Sequence, residues 1–303
     1  MLRTARWYHT SVVSADQSPG ILWVVATPIG TLEDLSPRAR RVLGEVDLVL
    51  AEDTRRARKL FSHLGLPARG RLRSLHEHNE RSQVETLVEA LQSGRSIALI
   101  SDAGTPVLSD PGYLLVREVR SAGHRVCSIP GASSFTAALA AAGQPPLPAT
   151  LSGFLPARPG QRRRRIAELA ACSWTVVVLL SPHRLARELA DIAEVMDGGR
   201  EATLLAEISK MHERAVVATL DELAAGEEAA SPRGEYILVI GPSEIEVEAP
   251  EVTPETVQSE YRKAVSDGLN RPEALRRTAR RLGLRRRQVF DLLAGEKSGT
   301  ANT

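Results

Sequence analysis

The sequence predicts an α/β protein with a mostly parallel sheet, followed by a small helical module. Two observations lead to this prediction. Short β-branched runs alternate with segments that carry helix start and stop signals. Parallel strands need crossover helices, so this alternation favours a parallel sheet. The C-terminal segment instead has the pattern of two helices joined at a glycine, which is typical of the helix-turn-helix class.

The predicted strands are short apolar runs. Four lie in the first half of the chain and three in the second: 22–26, 46–53, 96–100 and 125–129, then 174–180, 202–207 and 236–240. Between the early strands, Ser36 and Pro37 can begin a helix as N-cap and first residue, and Gly94 can end another. Ser133 or Ser134 can cap a further helix. These signals place helices between strands, as a parallel sheet requires.

Changes in composition divide the chain into five parts. Residues 1–20 are expected to form a flexible tail and residues 21–143 a first α/β domain. The proline-rich linker "GQPPLPA" leads into a second α/β domain at 150–241. An acidic, proline-containing linker is predicted at 242–260, and a basic helix-turn-helix-like module at 261–296.

The C-terminal module is predicted from two helical patterns on either side of Gly283. Its small core is expected to consist of apolar residues from both helices: Ala274, Leu275, Ala279, Leu282, Val289, Phe290, Leu292 and Leu293. Eight arginines lie between Arg271 and Arg287, against one glutamate. A charge run is often only a solvated helix face. Clustering of one sign on so small a module nevertheless favours contact with nucleic acid.

The composition is that of an ordinary globular protein. Apolar residues make up 43% of the chain and charged residues 25%, and the formal net charge is +2, so the chain as a whole is not a polycation. Cys127 and Cys172 lie among apolar residues and are expected to be buried thiols in a reducing compartment. The longest apolar run, 174–180, is too short to span a bilayer, and residues 1–20 lack the apolar stretch of a secretory signal. A cytoplasmic protein is therefore expected.

Ligands of open α/β sheets bind beyond the carboxyl ends of the strands. The segments at those positions are "TPIG", "AEDTRR", "SDAGTP" and "PGASS". None of them has the glycine pattern of a dinucleotide-binding loop or of a Walker loop. Because the four segments share one edge of the predicted sheet, they can build a single cleft.

Asp102 is the strongest single candidate for ligand binding. It follows a buried strand, and Ala103 and Gly104 beside it leave room for a ligand to approach the backbone. An aspartate in this position is also typical of a turn or a helix cap, and Asp53 is open to the same interpretation. The segment "HEHNE", residues 76–80, has no further ligand nearby in the sequence, so no metal site is expected. A serine hydrolase is not expected either, because no G-x-S-x-G elbow exists.

Seven segments of the chain, in the same order, resemble one known family. They are "ATPIGTLEDLSPRA", "AEDTRRARKL", "LHEHNE", "ISDAGTPVLSDPGY", "PGASS", "GFLPA" and "SPHRL". Over roughly residues 22–241, and again in the C-terminal helical segment, the chain resembles the ribosomal RNA small subunit methyltransferase I family of the tetrapyrrole-methylase superfamily. The resemblance implies two α/β domains with the cofactor cleft between them, and a homodimer. It implies S-adenosyl-L-methionine as cofactor and 2′-O-methylation of a cytidine in the decoding region of 16S rRNA.

The resemblance also implies where the cofactor binds. The expected residues lie in loops of the first domain and at two strand ends of the second: Pro28, Ser101, Asp102, Ala103, Gly104, Val107, Ser133, Ser134, Leu180 and Ala206. The methionine end of the cofactor has an ammonium and a carboxylate, and its ribose has two hydroxyls. Short polar side chains and exposed backbone groups suit all of these.

Methyl transfer to a ribose hydroxyl depends chiefly on alignment, because the methyl group of a sulfonium is already activated. A proton acceptor would help, since a 2′-hydroxyl is a poor nucleophile. Glu207 and Lys210 are the catalytic candidates, with His76 and Asp53 as alternatives. Lys210 would need a depressed pKa to act as a base, and contact with phosphate is the favoured role for it.

Contacts with RNA, chiefly with phosphates, are expected from basic residues that mostly occur in runs. The candidates are Arg55, Arg56, His76, Arg162, Arg163, Arg164, Arg165, Arg285, Arg286 and Arg287. The expected partner is 16S rRNA or the 30S ribosomal subunit that contains it.

Three positions depart from the pattern of the family. Thr31 stands where the family usually has asparagine, Leu180 where it has glutamate, and Ala206 where it has arginine. The departures leave two alternatives open: a tetrapyrrole methyltransferase of the same fold, and an RNA-binding relative without catalysis. The basic module, and "TPIG" in place of a glycine-rich loop that ends in aspartate, favour the rRNA methyltransferase over the tetrapyrrole enzyme.

Overall fold

The computed structural model describes residues 20–243, 253–282 and 284–295. The chain divides into two compact units, Met1–Ser243 and Glu244–Thr303. The predicted tail up to residue 19, residues 244–252 of the predicted linker, and the predicted turn at Gly283 lie outside the described residues. In the described part of the chain, no helix has the length and apolar character needed to cross a membrane.

The first sheet has five strands and is entirely parallel. The strands are β1 (Ile21–Val25), β2 (Leu48–Ala51), β3 (Leu72–Ser74), β4 (Ile97–Ile100) and β5 (Arg125–Ile129). Their order is β3-β2-β4-β1-β5, and every pairing is parallel, as predicted. The prediction did not include β3, because its three residues "LRS" contain no apolar run.

Helices cover both faces of the first sheet. They are α1 (Pro37–Glu45), α2 (Thr54–Leu64), α3 (Glu77–Gln92) and α4 (Tyr113–Ser121), with α5 (Ser134–Ala141) following β5. Leu43 of α1 and Phe61 of α2 are buried on one face, and Leu87 of α3 and Leu115 of α4 on the other. Because both faces are covered, β2 and β4 are buried at every residue and form continuous apolar runs in the sequence.

The second sheet is mixed. Its strands are β6 (Ala149–Phe154), β7 (Thr175–Leu180), β8 (Glu201–Ala206), β9 (Arg214–Thr219) and β10 (Tyr236–Ile240). In the order β6-β7-β10-β8-β9, only the β6–β7 pair is parallel. The prediction of mostly parallel strands is therefore wrong for this sheet. The loop at 207–213 is too short for a crossover helix, so β8 and β9 pair antiparallel.

The two faces of the second sheet have different partners. One face packs against the helices that follow β6, β7 and β9, which are α6 (Pro159–Ala170), α7 (Leu185–Met196), α8 (Leu220–Ala225) and α9 (Glu227–Ala230). The other face packs against α5, where Ala138 and the C-cap residue Ala142 form a buried cluster with Val177 and Val239. Since α5 directly follows the first sheet, it brings the loop after β5 next to the second sheet.

The C-terminal unit contains three described helices, one more than predicted. They are α10 (Pro254–Ser266), α11 (Arg271–Leu282) and α12 (Arg286–Gly295). The helix α10 begins inside the segment predicted as a linker. Thr253 caps it by accepting from the N–H of Thr256 (3.3 Å), Pro254 occupies its first position, and Val257 joins the core. Phe290, which was predicted in the core, is 46% exposed.

Candidate active site

Backbone hydrogen bonds join the loops after β1 and β4. The N–H of Thr27 donates to the carbonyl of Gly104 (2.8 Å), and the N–H of Gly104 donates back to the carbonyl of Thr27 (3.1 Å). The hydroxyl of Thr27 donates to the carbonyl of Ser101 (3.2 Å), and that of Ser101 to the carbonyl of Gly104 (3.0 Å). Gly104 has a φ of +84°, which glycine adopts without a steric penalty. The tight turn therefore favours glycine at this position.

The loop after β5 joins the same cluster. The hydroxyl of Thr105 donates to the carbonyl of Ala132 (3.1 Å). A Cβ on Gly131 would lie 3.0 Å from the Cβ of Ala26, just after β1, which is tighter than ordinary van der Waals contact, so glycine favours this close approach. The predicted cofactor residues of the first sheet all lie in these three joined loops or, for Ser134, at the first residue of α5: Pro28, Ser101, Asp102, Ala103, Gly104, Val107, Ser133 and Ser134.

The carboxylate of Asp102 connects the loop after β4 to the loop after β2. One oxygen accepts from the N–H of Asp53 (3.1 Å), and the other lies 3.4 Å from the guanidinium of Arg56. The side chain of Asp102 remains 23% exposed, so its free lone pairs are accessible to a ligand. Asp53 caps α2 by accepting from the N–H of Arg55 (2.7 Å), as expected for an aspartate before a helix.

The carboxylates of Glu52 and Asp110 lie close enough to Asp102 to interact with its charge. Burial, reinforced by the negative charges of Glu52 and Asp102, raises the pKa of Asp110 to about 7. Burial and the charge of Asp102 also raise the pKa of Glu52. Hydrogen bonds from Arg55, in contrast, hold the pKa of Asp53 below its ordinary value. Asp110 was not among the site residues predicted from the sequence, although it is the second aspartate of "SDAGTPVLSDPG" and could have been singled out with Asp102.

The loop that carries Asp110 is strained. Val107 and Ser109 have φ values of 77° and 70°, in the left-handed region that side chains other than glycine disfavour. Each such residue costs about 1–3 kcal/mol, and such residues concentrate at functional sites. The loop also approaches the second sheet, because a Cβ on Gly153 in β6 would lie 2.9 Å from the hydroxyl of Ser109.

A second contact joins the loop after β1 to the loop after β8. The hydroxyl of Thr31 donates to the carbonyl of Ser209 (2.6 Å), and the hydroxyl of Ser209 donates to Asp34. A Cβ on Gly30 would overlap the carbonyl of Ser209. Ser209 has a φ of 64° and Glu207 one of 55°, so this loop too is strained. No local sequence pattern indicates this contact, because the residues are more than 170 positions apart.

The catalytic candidates Glu207 and Lys210 form an ion pair. The ammonium of Lys210 lies 2.8 Å from Glu207 and 3.0 Å from Glu235. Burial alone would lower the pKa of Lys210, but its hydrogen bonds to these two carboxylates raise it. The bond from Lys210 lowers the pKa of Glu207. Lys210 is therefore a cation at neutral pH, which favours the predicted contact with phosphate over the role of a base.

Leu180 and Ala206 do not present side chains to the cleft. Each is 1% exposed and packs in the core beneath α6 and α7. Tyr236 lies between them, paired with Leu180 on one side and with Ala206 on the other. The apolar core fixes the direction of both side chains along their strands, and the predicted contribution of these two strand ends to cofactor binding stays a prediction.

A cavity of about 590 Å³ lies among the loops after β1, β5 and β8. Its lining includes Ile29, Gly131, Ala132, Ser133, Ile208 and Ser209. Ser133 precedes α5 but makes no side-chain cap hydrogen bond. The N–H groups in the first turn of α5 are consequently open to an anion. Of the remaining candidates, His76 begins α3, and its buried Nδ1 has no hydrogen-bond partner.

Most of the arginines predicted to contact RNA have carboxylate partners in the described part of the chain, and three do not. Arg162 is 5% exposed and pairs with Asp191 at 2.5 Å, so its predicted role in binding RNA is wrong and it stabilises the packing of α6 on α7. The neighbouring arginines Arg163, Arg164 and Arg165 have carboxylate partners on α6 and α7, and Arg55 and Arg56 pair with Asp53 and Asp102. In the described residues, Arg285, Arg286 and Arg287 are exposed and have no carboxylate partner.

The whole two-sheet arrangement has known counterparts. The family model of the Tetrapyrrole (Corrin/Porphyrin) Methylases matches residues 22–224. The solved structure of diphthine synthase covers 73% of this chain with a TM-score of 0.56 at 16% identity, and that of uroporphyrin-III-C-methyltransferase from Thermus thermophilus covers 73% with a TM-score of 0.50 at 23% identity. The matched regions cover 89% of the diphthine synthase chain and 94% of the uroporphyrin-III-C-methyltransferase chain. At these identities the likeness concerns the fold alone. The fold is that of a tetrapyrrole methylase.

Sequence relatives give a narrower assignment. The ribosomal RNA small subunit methyltransferase I of Pseudomonas aeruginosa is 45% identical over 74% of this chain and 79% of the relative. The protein of the same name from Synechocystis is 38% identical over 90% of this chain and 97% of the relative. The chain therefore belongs to the ribosomal RNA small subunit methyltransferase I family, within the tetrapyrrole methylases.

The methyl donor of this family is S-adenosyl-L-methionine, and the residues of the joined loops fit it. The open N-terminus of α5 suits its carboxylate. Asp102 can accept hydrogen bonds from its ammonium or from its ribose hydroxyls. Gly104 and Gly131 allow the joined loops to pack closely, because a Cβ on either would crowd Ile29 or Ala26.

Proposed function

We propose that this chain transfers a methyl group from S-adenosyl-L-methionine to the 2′-oxygen of a cytidine ribose in the decoding region of 16S rRNA. The observation that carries the proposal is its identity of 36–45% to proteins named ribosomal RNA small subunit methyltransferase I. The basic C-terminal unit supports an RNA substrate. The cytidine, the 2′-oxygen and the decoding region come from the resemblance of the motifs.

The cofactor is proposed to bind in the cleft between the two α/β parts, residues 21–143 and 150–241. The joined loops after β1, β4 and β5 would hold it through Asp102, the backbone near Gly104, and the start of α5 at Ser133 and Ser134. The backbone at Leu180 and Ala206 would close the cleft from the second sheet. When bound, the cofactor supplies a methyl group that is already activated for displacement.

The residues of the chain have to place the ribose oxygen in line with that methyl group and to accept its proton. Alignment of this kind can supply several kcal/mol of the barrier. Glu207 is the proposed proton acceptor, since its carboxylate stays ionised at neutral pH. Lys210, as a fixed cation beside Glu207, is proposed to contact a phosphate of the RNA rather than to move a proton.

Arginines of both compact units are proposed to position the RNA backbone. Arg285, Arg286 and Arg287 would contact phosphates directly, because no carboxylate in the described part of the chain neutralises them. Arg55 and Arg56 remain 83% and 65% exposed despite their ion pairs and would contact phosphates near the cleft. The proposed substrate is 16S rRNA or the assembled 30S subunit, and the proposed active form is a homodimer.

The test is methyl transfer from radiolabelled S-adenosyl-L-methionine to unmodified 30S subunits, with naked 16S rRNA and uroporphyrinogen as competing acceptors. We expect label in RNA and, after digestion to nucleosides, in 2′-O-methylcytidine. Label in the tetrapyrrole would assign the chain to the other branch of its fold. Binding of the cofactor with no transfer to either acceptor would also contradict the proposal, as would RNA binding with no cofactor binding.

A further inference from the structure

The C-terminal unit contains a groove where its three helices meet. The groove has a volume of about 460 Å³, which is within the range of small-ligand sites. Its walls come from all three helices: Gln258, Tyr261 and Arg262 on α10, Arg271 on α11, and Phe290 and Leu293 on α12. These residues recur at helical spacings of three and four, so each helix presents one face to the groove.

An aromatic ring and a guanidinium form the mouth of this groove. Phe290 is 46% exposed, although the apolar pattern of α12 predicts it in the core. The guanidinium of Arg271 lies over its ring, 5.8 Å from the centroid. Leu275, which is 5% exposed, also lines the groove and belongs to the core of the unit. The groove thus combines an apolar lining with an exposed π-face.

The charge around the groove is positive. Residues 253–295 contain ten arginines and lysines against five aspartates and glutamates. Three of these cations have carboxylate partners: Lys263, Arg277 and Arg281. Arg262 and Arg271 of the groove have none in the described part of the chain, and no acidic residue lines the groove. The complementary ligand is therefore an anion with a flat apolar part.

We propose that this groove binds a single unpaired nucleotide of an RNA, with its base against Phe290 and Tyr261 and its phosphate beside Arg262 and Arg271. That the RNA is the substrate rests on the proposed function. Unstacked bases lie on aromatic rings and guanidinium planes in proteins that bind single-stranded RNA. A concave groove cannot reach the face of a base that is stacked inside a duplex. Gln258 adds an amide that can hydrogen-bond a base edge.

The experiment measures RNA binding by the full-length chain at fixed salt, using fluorescence anisotropy. The probes are a short single-stranded RNA and a blunt-ended, fully paired duplex of the same composition. We expect Phe290→Leu, which keeps the apolar contact and removes the π-face, to weaken single-strand binding roughly 10-fold and to leave duplex binding unchanged. Phe290→Trp should restore single-strand binding.

Tyr113 offers a matched control. It is 61% exposed, and Arg117 lies 5.8 Å from its ring centroid, so it repeats the arginine–aromatic pair outside the C-terminal unit. Tyr113→Leu should leave single-strand binding unchanged. Equal weakening by Tyr113→Leu and Phe290→Leu would overturn the inference, and so would equal loss of duplex and single-strand binding in Phe290→Leu. Tighter binding of an acidic apolar peptide than of RNA would overturn it as well.

A second measurement does not depend on the folding of any variant. The wild-type chain is irradiated with a single-stranded RNA that contains 5-bromouridine, and the cross-linked peptides are mapped by mass spectrometry. We expect cross-links at Tyr261 or Phe290. Cross-links confined to residues outside the groove would overturn the inference.

The two proposals fail in different ways. If the chain methylates RNA and Phe290→Leu changes neither the Kd for single strands nor the KM for the subunit, the groove inference fails and the proposed function stands. If the groove binds single strands but no RNA is methylated, the proposed function fails alone. If both proposals hold, the KM for the subunit is raised roughly 10-fold in Phe290→Leu and kcat is unchanged.

Discussion

Asp102 accepts a hydrogen bond from the backbone N–H of Asp53 at 3.1 Å, and so fixes the loop after β4 against the loop after β2. Its second oxygen faces Arg56, and the side chain is still 23% exposed. Asp102 therefore has a structural contact and a free acceptor surface at once. A test of its role in cofactor binding has to separate the two.

Asp102→Asn makes that separation. The amide oxygen can still accept from the N–H of Asp53, so we expect the free energy of unfolding to change by less than about 1 kcal/mol, including the weak exposed pair with Arg56. Loss of a charged acceptor should weaken S-adenosyl-L-methionine binding roughly 10-fold or more. Isothermal titration calorimetry and urea unfolding measure the two quantities. An unchanged Kd would remove Asp102 from the cofactor site.

Gly30→Ala tests the contact between the loops after β1 and β8. The new Cβ would overlap the carbonyl of Ser209 and lie 2.7 Å from the Cγ of Lys210. We expect destabilisation by about 1–3 kcal/mol and a loss of methyl transfer, both measured on the same preparation. The matched control is Gly44→Ala in α1, where the new Cβ would lie 3.4 Å from Leu66 and helix propensity favours alanine. Equal effects of the two substitutions would contradict the close contact.

The raised pKa of Asp110 predicts a pH-dependent stability. Its pKa is about 7 in the folded chain and near 4 in the unfolded one. The folded state therefore binds the extra proton between these values, and stability is lost as the pH rises from about 4 to 7. Asp110→Asn removes this loss, so we expect the variant to gain about 1–2 kcal/mol over the wild type at pH 8, after allowance for solvent screening.

The advantage of Asp110→Asn should grow between pH 4.5 and 7 and stay constant above about 7.5. Urea unfolding across this range measures it. Glu85→Gln, on the exposed face of α3, controls for the loss of one negative charge. A difference that is independent of pH would show that Asp110 ionises normally.

Lys210 is expected to act as a fixed cation. Lys210→Arg keeps the charge and the pairing with Glu207, so its KM and kcat should stay close to those of the wild type. Lys210→Gln should raise the KM for RNA severalfold and, because it removes the bond that lowers the pKa of Glu207, move the acidic limb of the pH–rate profile to higher pH. If Lys210 were the proton acceptor, both variants would lose kcat by about 10²–10⁴-fold.

Arg162 and Arg164 are expected to differ sharply although they lie two residues apart. Arg162→Gln leaves the carboxylate of Asp191 without its buried partner, so we expect a loss of about 3 kcal/mol in the free energy of unfolding. Arg164 is 83% exposed, and Arg164→Gln should change stability by less than about 0.5 kcal/mol. Urea unfolding decides between this view and one in which both are equivalent RNA contacts.

Local sequence patterns predicted much of this fold. The continuous apolar runs at β2 and β4 indicated strands buried on both faces, and Ser36 with Pro37 indicated the start of α1. The antiparallel pairing of the second sheet was missed, because strand direction depends on the length of connections rather than on strand composition. The helix α10 was missed because acidic residues and prolines before Thr253 masked its cap.

Only part of the candidate site could be predicted from the sequence, because local patterns do not encode contacts between distant parts of the chain. The loops after β1, β4 and β5 follow recognisable strands, so their residues could be grouped from order alone. The contact of Thr31 with Ser209 joins distant parts of the chain, and no local pattern encodes it. The burial of Arg162 depends on where α7 packs, and the exposure of Phe290 depends on α10 and α11. The exposure of both side chains is set by tertiary packing, which a local sequence pattern does not contain.

The central claim is that this chain methylates a ribose oxygen of rRNA, and alkaline hydrolysis tests it most directly. A 2′-O-methyl group blocks attack of that oxygen on the adjacent phosphate, so the modified linkage resists cleavage. Unmodified 30S subunits are incubated with S-adenosyl-L-methionine and either the wild-type chain or Asp102→Asn, and the extracted 16S rRNA is hydrolysed and mapped. At a cofactor concentration near the Kd of the wild type, the account predicts one protected linkage, 3′ to a cytidine in the decoding region, and markedly less protection with Asp102→Asn. A full ladder without protection at any cytidine, from a preparation that binds the cofactor, would contradict it.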